Sequence, residues 1–187
     1  MGDSALTRRL FFALWPERAL QIALAEATFD VVTASVGRPI PSDNFHVTLA
    51  FLGSVPEARL SAVMAVGTAV ATEIAPRPIQ VSFTTLEYWK KPRVLCVTGP
   101  EDFAAHSSGG AALADLLKSR LSATGFAPDL KPFRAHVTLA RKVAHPTRTD
   151  AALPLVWSFT EFVLVESRTE AHGSVYCVVQ SYPFGTP

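Results

Sequence analysis

The sequence predicts a duplicated α+β domain, two similar halves related by a pseudo-twofold axis. Three observations lead there. The chain has 187 residues, 49% of them hydrophobic and 18% charged, an ordinary globular composition long enough for one sizeable core or two small lobes sharing one. Strand-like and helix-like hydrophobic runs follow one another with no long linker between them. The same pentapeptide, His-Val-Thr-Leu-Ala, stands at residues 46–50 and 136–140, each time after a strand, a helix, a capping glycine and a short connection. With about 20 residue types and on the order of 10⁴ position pairs, chance identity over five residues has a probability of around one per cent or less. Two copies are too few and too long for a solenoid. The chain is therefore read as one domain, residues 1–187, with approximate halves 1–90 and 91–187 and strands that can exchange between them.

The elements follow in order. Residues 9–14 (RLFFAL) have strand character, and Trp15-Pro16 announces a helix with proline at its first position. Leu20, Leu24, Phe29 and Val32 continue it to a stop at Gly37. A second strand covers 45–53, and Pro56 opens a second helix with Leu60, Val63, Met64, Val70 and Ile74 on its apolar face, ending before Pro76. Residues 79–88 and 93–98 read as strands joined by a turn around Trp89 to Pro92. A third helix covers 111–124, capped by Gly125. Strand character returns at 135–143, 157–167 and 174–182, the last two joined around Ala171-His172-Gly173. Residues 101–110 are the most loop-like stretch.

Several function classes are excluded at this level. A formal net charge of +1 argues against a protein that coats long nucleic acid by charge alone, whereas a small anionic substrate or a strand end needs only a local positive pocket. Cys96 and Cys177 lack metal-ligand or redox spacing, sit in apolar runs and are expected to be buried free thiols. The apolar run Leu10 to Trp15 is too short and too soon followed by charge for a signal peptide. No stretch is long and apolar enough to span a membrane. The expectation is a cytoplasmic monomer without membrane contact, the repeat already supplying twofold symmetry within one chain.

The repeat carries chemistry. In a strand alternate residues share a face, so His46 and Thr48 face one way and Val47, Leu49 and Phe51 the other, as do His136 and Thr138 against Val137 and Leu139. Each strand thus has an apolar face for a core and a polar face that needs water, a partner or a ligand. Packing constraints would preserve the valine and leucine of a duplication, not the two polar positions beside them. Facing each other across a groove, two imidazoles and two hydroxyls suit phosphodiester chemistry. One histidine takes the nucleophile's proton and the other protonates the departing oxygen. The threonine hydroxyls donate to the non-bridging oxygens. Two imidazoles with no carboxylate in either motif fall short of a zinc site, so neither a metal ion nor a cofactor is expected. Because the pentapeptides are identical, the residues alone leave open which histidine is acid and which is base.

At these residues the chain resembles the two-histidine (2H) phosphoesterase superfamily, whose mark is a pair of His-x-Thr/Ser-x motifs. More specifically it resembles the bacterial RNA 2′,3′-cyclic phosphodiesterases, formerly called 2′–5′ RNA ligases. The matching segments are Arg9 to Leu14, Asn44 to Gly53, Pro92 to Leu95, Phe133 to Lys142 and Leu164 to Arg168. Trp89-Lys90-Lys91 departs from the family's usual look. The resemblance implies a bilobal α+β fold, two antiparallel sheets with outer helices around a central cleft. It implies that water opens RNA 2′,3′-cyclic phosphate ends, or small cyclic-phosphate nucleotides, to a 2′-phosphate. It implies His46 as proton donor and His136 as proton acceptor. It also implies a phosphate-holding arginine after the second motif, which is Arg141.

Strand parity places Arg141 on the face opposite His136, an objection that a bulge or the strand's end would remove. Arg134 shares the face of His136. Phe11, Tyr88 and Trp89 are candidates for base stacking, and His106, His145 and His172 are read as surface residues. Rival functions are action on 2′–5′ linkages, ligation by the reverse reaction, and non-catalytic binding of RNA ends. Retention of both histidines argues against the last, since lysine or arginine would bind with less pH sensitivity.

Overall fold

The computed structural model describes residues 6–99, 109–145, 155–170 and 173–185. His106, His172, the loop-like stretch 101–108 and turn residues 171–172 lie outside the described residues. The elements are β1 (Thr7–Leu14), α1 (Arg18–Ala34), β2 (Arg38–Pro39), β3 (Val47–Pro56), α2 (Leu60–Glu73), β4 (Ile79–Phe83), β5 (Thr85–Trp89), β6 (Val94–Thr98), α3 (Gly109–Ala123), β7 (His136–Arg141), β8 (Leu155–Phe159), β9 (Glu161–Glu170) and β10 (Gly173–Pro183). Two four-stranded sheets, in the orders β10-β9-β1-β3 and β2-β7-β6-β5, are joined by a two-stranded ribbon, β4-β8. Every pairing is antiparallel.

The sheets are not contiguous halves of the chain. The first combines β1 and β3 with the C-terminal β9 and β10, so a division at residue 90 cuts through it. The exchange runs both ways. Before the first motif, β2 pairs with β7, and Ile40 N donates to Leu139 O at 2.8 Å. Before the second motif, Asp129 N donates to Phe51 O of β3 at 3.0 Å. The helices follow: α1 packs on β7, whereas α3 packs on β3 and α2 lies against α3 and β10. Burying the apolar edge of each motif strand under the other half's chain produces one shared core. It includes Phe12, Leu14, Val47 and Leu49 together with Leu95, Val97, Val137 and Leu139.

Local chemistry moves several element boundaries. Helix α1 begins at Arg18, with Glu17 rather than Pro16 at its start, and ends before Ser35. The left-handed residue there is Val36 (φ 49°), not Gly37. Gly125, by contrast, does adopt φ +77° after α3, as its capping role requires. A 3₁₀ turn, Glu57–Arg59, separates Pro56 from α2. The predicted strands 79–88 and 157–167 each break near their middle, at Thr84 and Thr160. One part of each joins the ribbon and the other a main sheet. Cys96 is buried, whereas Cys177 is only half-buried, and both are free.

Candidate active site

The two motif strands carry the same irregularity. Along β3, Thr48 pairs with Ala13 and Ala50 with Phe12, so Leu49 has no partner of its own in the register. Along β7, Thr138 pairs with Cys96 and Ala140 with Leu95, so Leu139 is the extra residue. A bulge of one residue reverses side-chain parity beyond it. Both leucines stay in the core, and the residues after the motifs swing back to the face of the histidines. This removes the parity objection to Arg141, which lines the same pocket as His46 and His136. It also corrects the placing of Phe51 on the core face. Phe51 packs with Phe11, Ala13, Val163 and Val165 on the cleft face, and Arg9 lies 4.6 Å over its ring.

His46 stands one residue ahead of β3 and His136 opens β7. Each ring is anchored in the same way. His46 Nδ1 lies 2.7 Å from Asn44 O, and His136 Nδ1 lies 2.8 Å from Arg134 O. A carbonyl only accepts, so in both rings Nδ1 carries the hydrogen and Nε2 has the free lone pair. In His46 this Nε2 accepts from Thr48 Oγ1 at 3.1 Å. The segment before His46 is pinned from two sides. Buried Gln21 of α1 donates to the carbonyls of Asp43 and Phe45, both at 3.1 Å, and Asn44 Nδ2 donates to Ser174 O of β10 at 3.1 Å.

The surroundings of the two rings differ. Trp15 stacks on His46 (centroids 5.2 Å, planes 2° apart), Phe11 lies against it at 4.9 Å, and Tyr176 meets it edge-on at 5.3 Å. Burial in this aromatic cage, with His136 and Arg141 adding like charge, outweighs the Asn44 carbonyl and pushes the His46 pKa down to about 4. His136 is also held below the usual histidine range, by burial and by Arg134 and Arg141. Its Arg134 carbonyl bond and Glu87 pull the other way. Trp89 packs against His136 at 4.7 Å, with Arg134 over the indole at 5.5 Å.

His46, Thr48, His136, Thr138 and Arg141 converge, with Ile40, Asn44 and Tyr176, on a pocket of about 90 Å³, roughly three water volumes at about 30 Å³ each. Two grooves open from it. One, about 210 Å³, runs over Arg9, Phe11, Phe51 and Ser167, and the other, about 600 Å³, over Arg38, Pro39, Val175 and Thr169. Tyr176 and Arg141 border all three.

The stacking candidates separate. Phe11 is buried beneath His46, and Tyr88 packs against the core. Trp89 lies on the cleft face beside His136. Sequence reasoning missed Trp15, Tyr176 and Glu87. Trp15 shares strand parity with Arg9, Phe11 and Ala13, a signal masked by its reading as a helix start. Tyr176 and Glu87 reach the site only through long-range pairing. Among the described residues no group of three or more His, Cys, Asp or Glu side chains is placed to hold a metal ion. No described helix is long and apolar enough to cross a membrane.

Comparison with known proteins shows which family and fold the chain is similar to. A family model described as LigT like Phosphoesterase matches residues 15–96, which include the first motif. Over 181 residues the chain is 32% identical to the RNA 2′,3′-cyclic phosphodiesterase of Thermus thermophilus, spanning 93% of this chain and 89% of that one. The protein of that name from Escherichia coli is 30% identical over 166 residues, 86% of this chain and 87% of its own. The crystal structure of E. coli LigT complexed with 3′-AMP matches with a TM-score of 0.80 at 24% identity, covering 97% of this chain and 100% of that one. TT0787 of T. thermophilus matches at 0.78 and 27% identity, covering 95% and 98%.

Proposed function

Because the chain belongs to the LigT-like phosphoesterase family, we propose that it opens RNA 2′,3′-cyclic phosphate ends to 2′-phosphates with His136 as base and His46 as acid. The observation that carries this reading is the shared pocket. Two imidazoles with Nδ1 tied to backbone carbonyls present Nε2 to one small space, together with two threonine hydroxyls and a guanidinium.

The cyclic phosphate sits between the rings. Thr48, Thr138 and Arg141 donate to its non-bridging oxygens. His136 Nε2 takes a proton from water as the oxygen attacks phosphorus. The P–O3′ bond breaks on the opposite side, and protonated His46 Nε2 delivers its proton to O3′. The product is a 2′-phosphomonoester and a free 3′-hydroxyl. Low proton affinity suits His46 as donor, since a more acidic imidazolium gives up its proton more readily to an alkoxide. The bound phosphate anion favours the imidazolium before transfer. The grooves on either side take the terminal nucleoside and the strand 5′ to it. The site is complete in one chain, so a monomer is the working unit, and no step calls for a metal ion.

The test is hydrolysis, in chelator, of a short RNA ending in a 2′,3′-cyclic phosphate, with the product identified by mass and by 3′-end chemistry. A 2′-phosphate formed by the wild type, and lost in His46→Ala and His136→Ala that remain folded, is the expected result. Chelator-sensitive turnover, or a 3′-phosphate product, would overturn the mechanism.

A further inference from the structure

The two motifs are identical in sequence, but the strands beside them are not. In the first sheet Ala13 pairs with Thr48 on one side and Val163 on the other. In the second sheet Cys96 pairs with Thr138 on one side and Glu87 on the other. The pseudo-twofold therefore sets the Val163-Ala13-Thr48 row against the Glu87-Cys96-Thr138 row. Where one half places a buried valine, the other places a carboxylate.

That carboxylate is fully engaged. Glu87 Oε2 accepts from Trp89 Nε1 at 2.8 Å, and Oε1 accepts from Thr98 Oγ1 at 2.8 Å and from the Arg134 guanidinium. Burial opposes its ionisation, but these three donors outweigh burial and hold it below the usual carboxylate range. Each partner leads to the second histidine. Trp89 packs on the His136 ring, Arg134 supplies the carbonyl that orients Nδ1, and Thr98 pairs with His136 across the ladder. Among the described residues the charged and titratable groups around His136 are Glu87 from β5, Cys96 from β6, Arg134 just ahead of β7, Arg141 at its end, and His46 and Tyr176 across the pocket. The Cys96 thiol is pushed up to about 12 by burial and stays neutral. Glu87 is thus the one anion of this group.

We propose that Glu87 is a positioning residue for the second motif: by anchoring Trp89 and Arg134 and placing a negative charge on one side of the cleft, it makes His136 the imidazole that gains positive charge during turnover. This inference rests on the reading of His136 as the base. As His136 takes the proton from water it becomes an imidazolium, and a carboxylate held nearby stabilises that state more than the neutral one. Among the described residues the first motif, walled by Trp15, Phe11 and Val163, has no counterpart.

The experiment titrates both ring systems of the free enzyme by NMR in the wild type, Glu87→Gln and Glu87→Asp, with kcat/KM followed against pH. In Glu87→Gln, the His136 pKa is expected to fall by about one pH unit and kcat/KM about tenfold, with the His46 titration essentially unmoved. Glu87→Asp, which keeps the charge, is expected to recover most of both and serves alone if the glutamine variant does not fold. An unchanged His136 titration in folded Glu87→Gln would overturn the proposal. So would equal shifts of both histidines, or an aspartate variant no better than the glutamine one. The titration needs no turnover, so activity surviving in His136→Ala would sink the reading of His136 as base without touching this coupling.

Discussion

Trp15 lies flat on His46, ring centroids 5.2 Å apart and planes 2° from parallel. The indole shields one face of the imidazole from water, and this burial is the main cause of the low proton affinity of His46. Trp15→Leu should let water reach the ring, and the His46 pKa should rise from about 4 towards the ordinary 6.5. kcat/KM should fall about tenfold, less than the roughly 10²–10⁴-fold that a positioned acid contributes in full. NMR titration of His46 beside steady-state kinetics checks both. An unmoved titration would show that the cage does not set the acidity.

Arg141 reaches the pocket because of the extra residue Leu139, and its charge lowers the pKa of both histidines. Removing it has two separable consequences. In Arg141→Ala the lost phosphate contact should cost roughly 2–3 kcal/mol, about 30- to 150-fold in kcat/KM. Both limbs of the pH profile should also move to higher pH, because a positive charge that disfavoured protonation is gone. A profile displaced to lower pH would contradict the placement of the guanidinium.

Acid lability follows from the same site. His46 titrates at about 4 in the fold and near 6.5 when unfolded. Between those values the unfolded chain binds more protons, so stability falls as pH drops from 6.5 towards 4 and the loss is complete below the folded value. The change amounts to at most about 3 kcal/mol. Denaturant unfolding from pH 7.5 to 4.5 should show the wild type losing most of that amount relative to His46→Gln. Parallel stability curves would refute it.

Much of this site was legible in the repeat. His46, Thr48, His136 and Thr138 follow from period-two alternation applied to two identical pentapeptides. Arg141 and Phe51 did not, because alternation assumes an unbroken ladder. The bulges at Leu49 and Leu139 become visible only when the partner strands β1 and β6 supply the count. The breaks at Thr84 and Thr160 were hidden for a related reason. Both segments keep apolar, strand-like composition through the break, and only the sheet each half joins reveals it. Glu87 and Tyr176 lie 41 and 40 residues from the nearest motif histidine, and long-range pairing of that kind leaves no local pattern to read.

Support for the first sheet depends on a close approach at Gly67. A Cβ there would come within 2.4 Å of the Tyr182 ring. That ring cannot easily retreat, being stacked on Phe162 at 4.9 Å and bonded through its hydroxyl to Met64 O. Gly67→Ala should destabilise the fold by about 1–3 kcal/mol, seen as a lower denaturant midpoint. KM should be unchanged, because the contact lies on the sheet face away from the cleft. A neutral or stabilising effect would mean that α2 can shift on β10.

In the proposed reaction His46 protonates the leaving 3′ oxygen while His136 activates water. This assignment is tested most directly by a cyclic-phosphate RNA in which sulfur replaces the bridging 3′ oxygen. A thiolate, with a pKa near 8.5, leaves without protonation, so it removes the need for the acid and leaves the need for the base. His46→Ala is expected to hydrolyse the sulfur substrate at close to the wild-type rate while His136→Ala stays inactive on it. Rescue of His136→Ala instead, or of neither variant, would contradict the assignment.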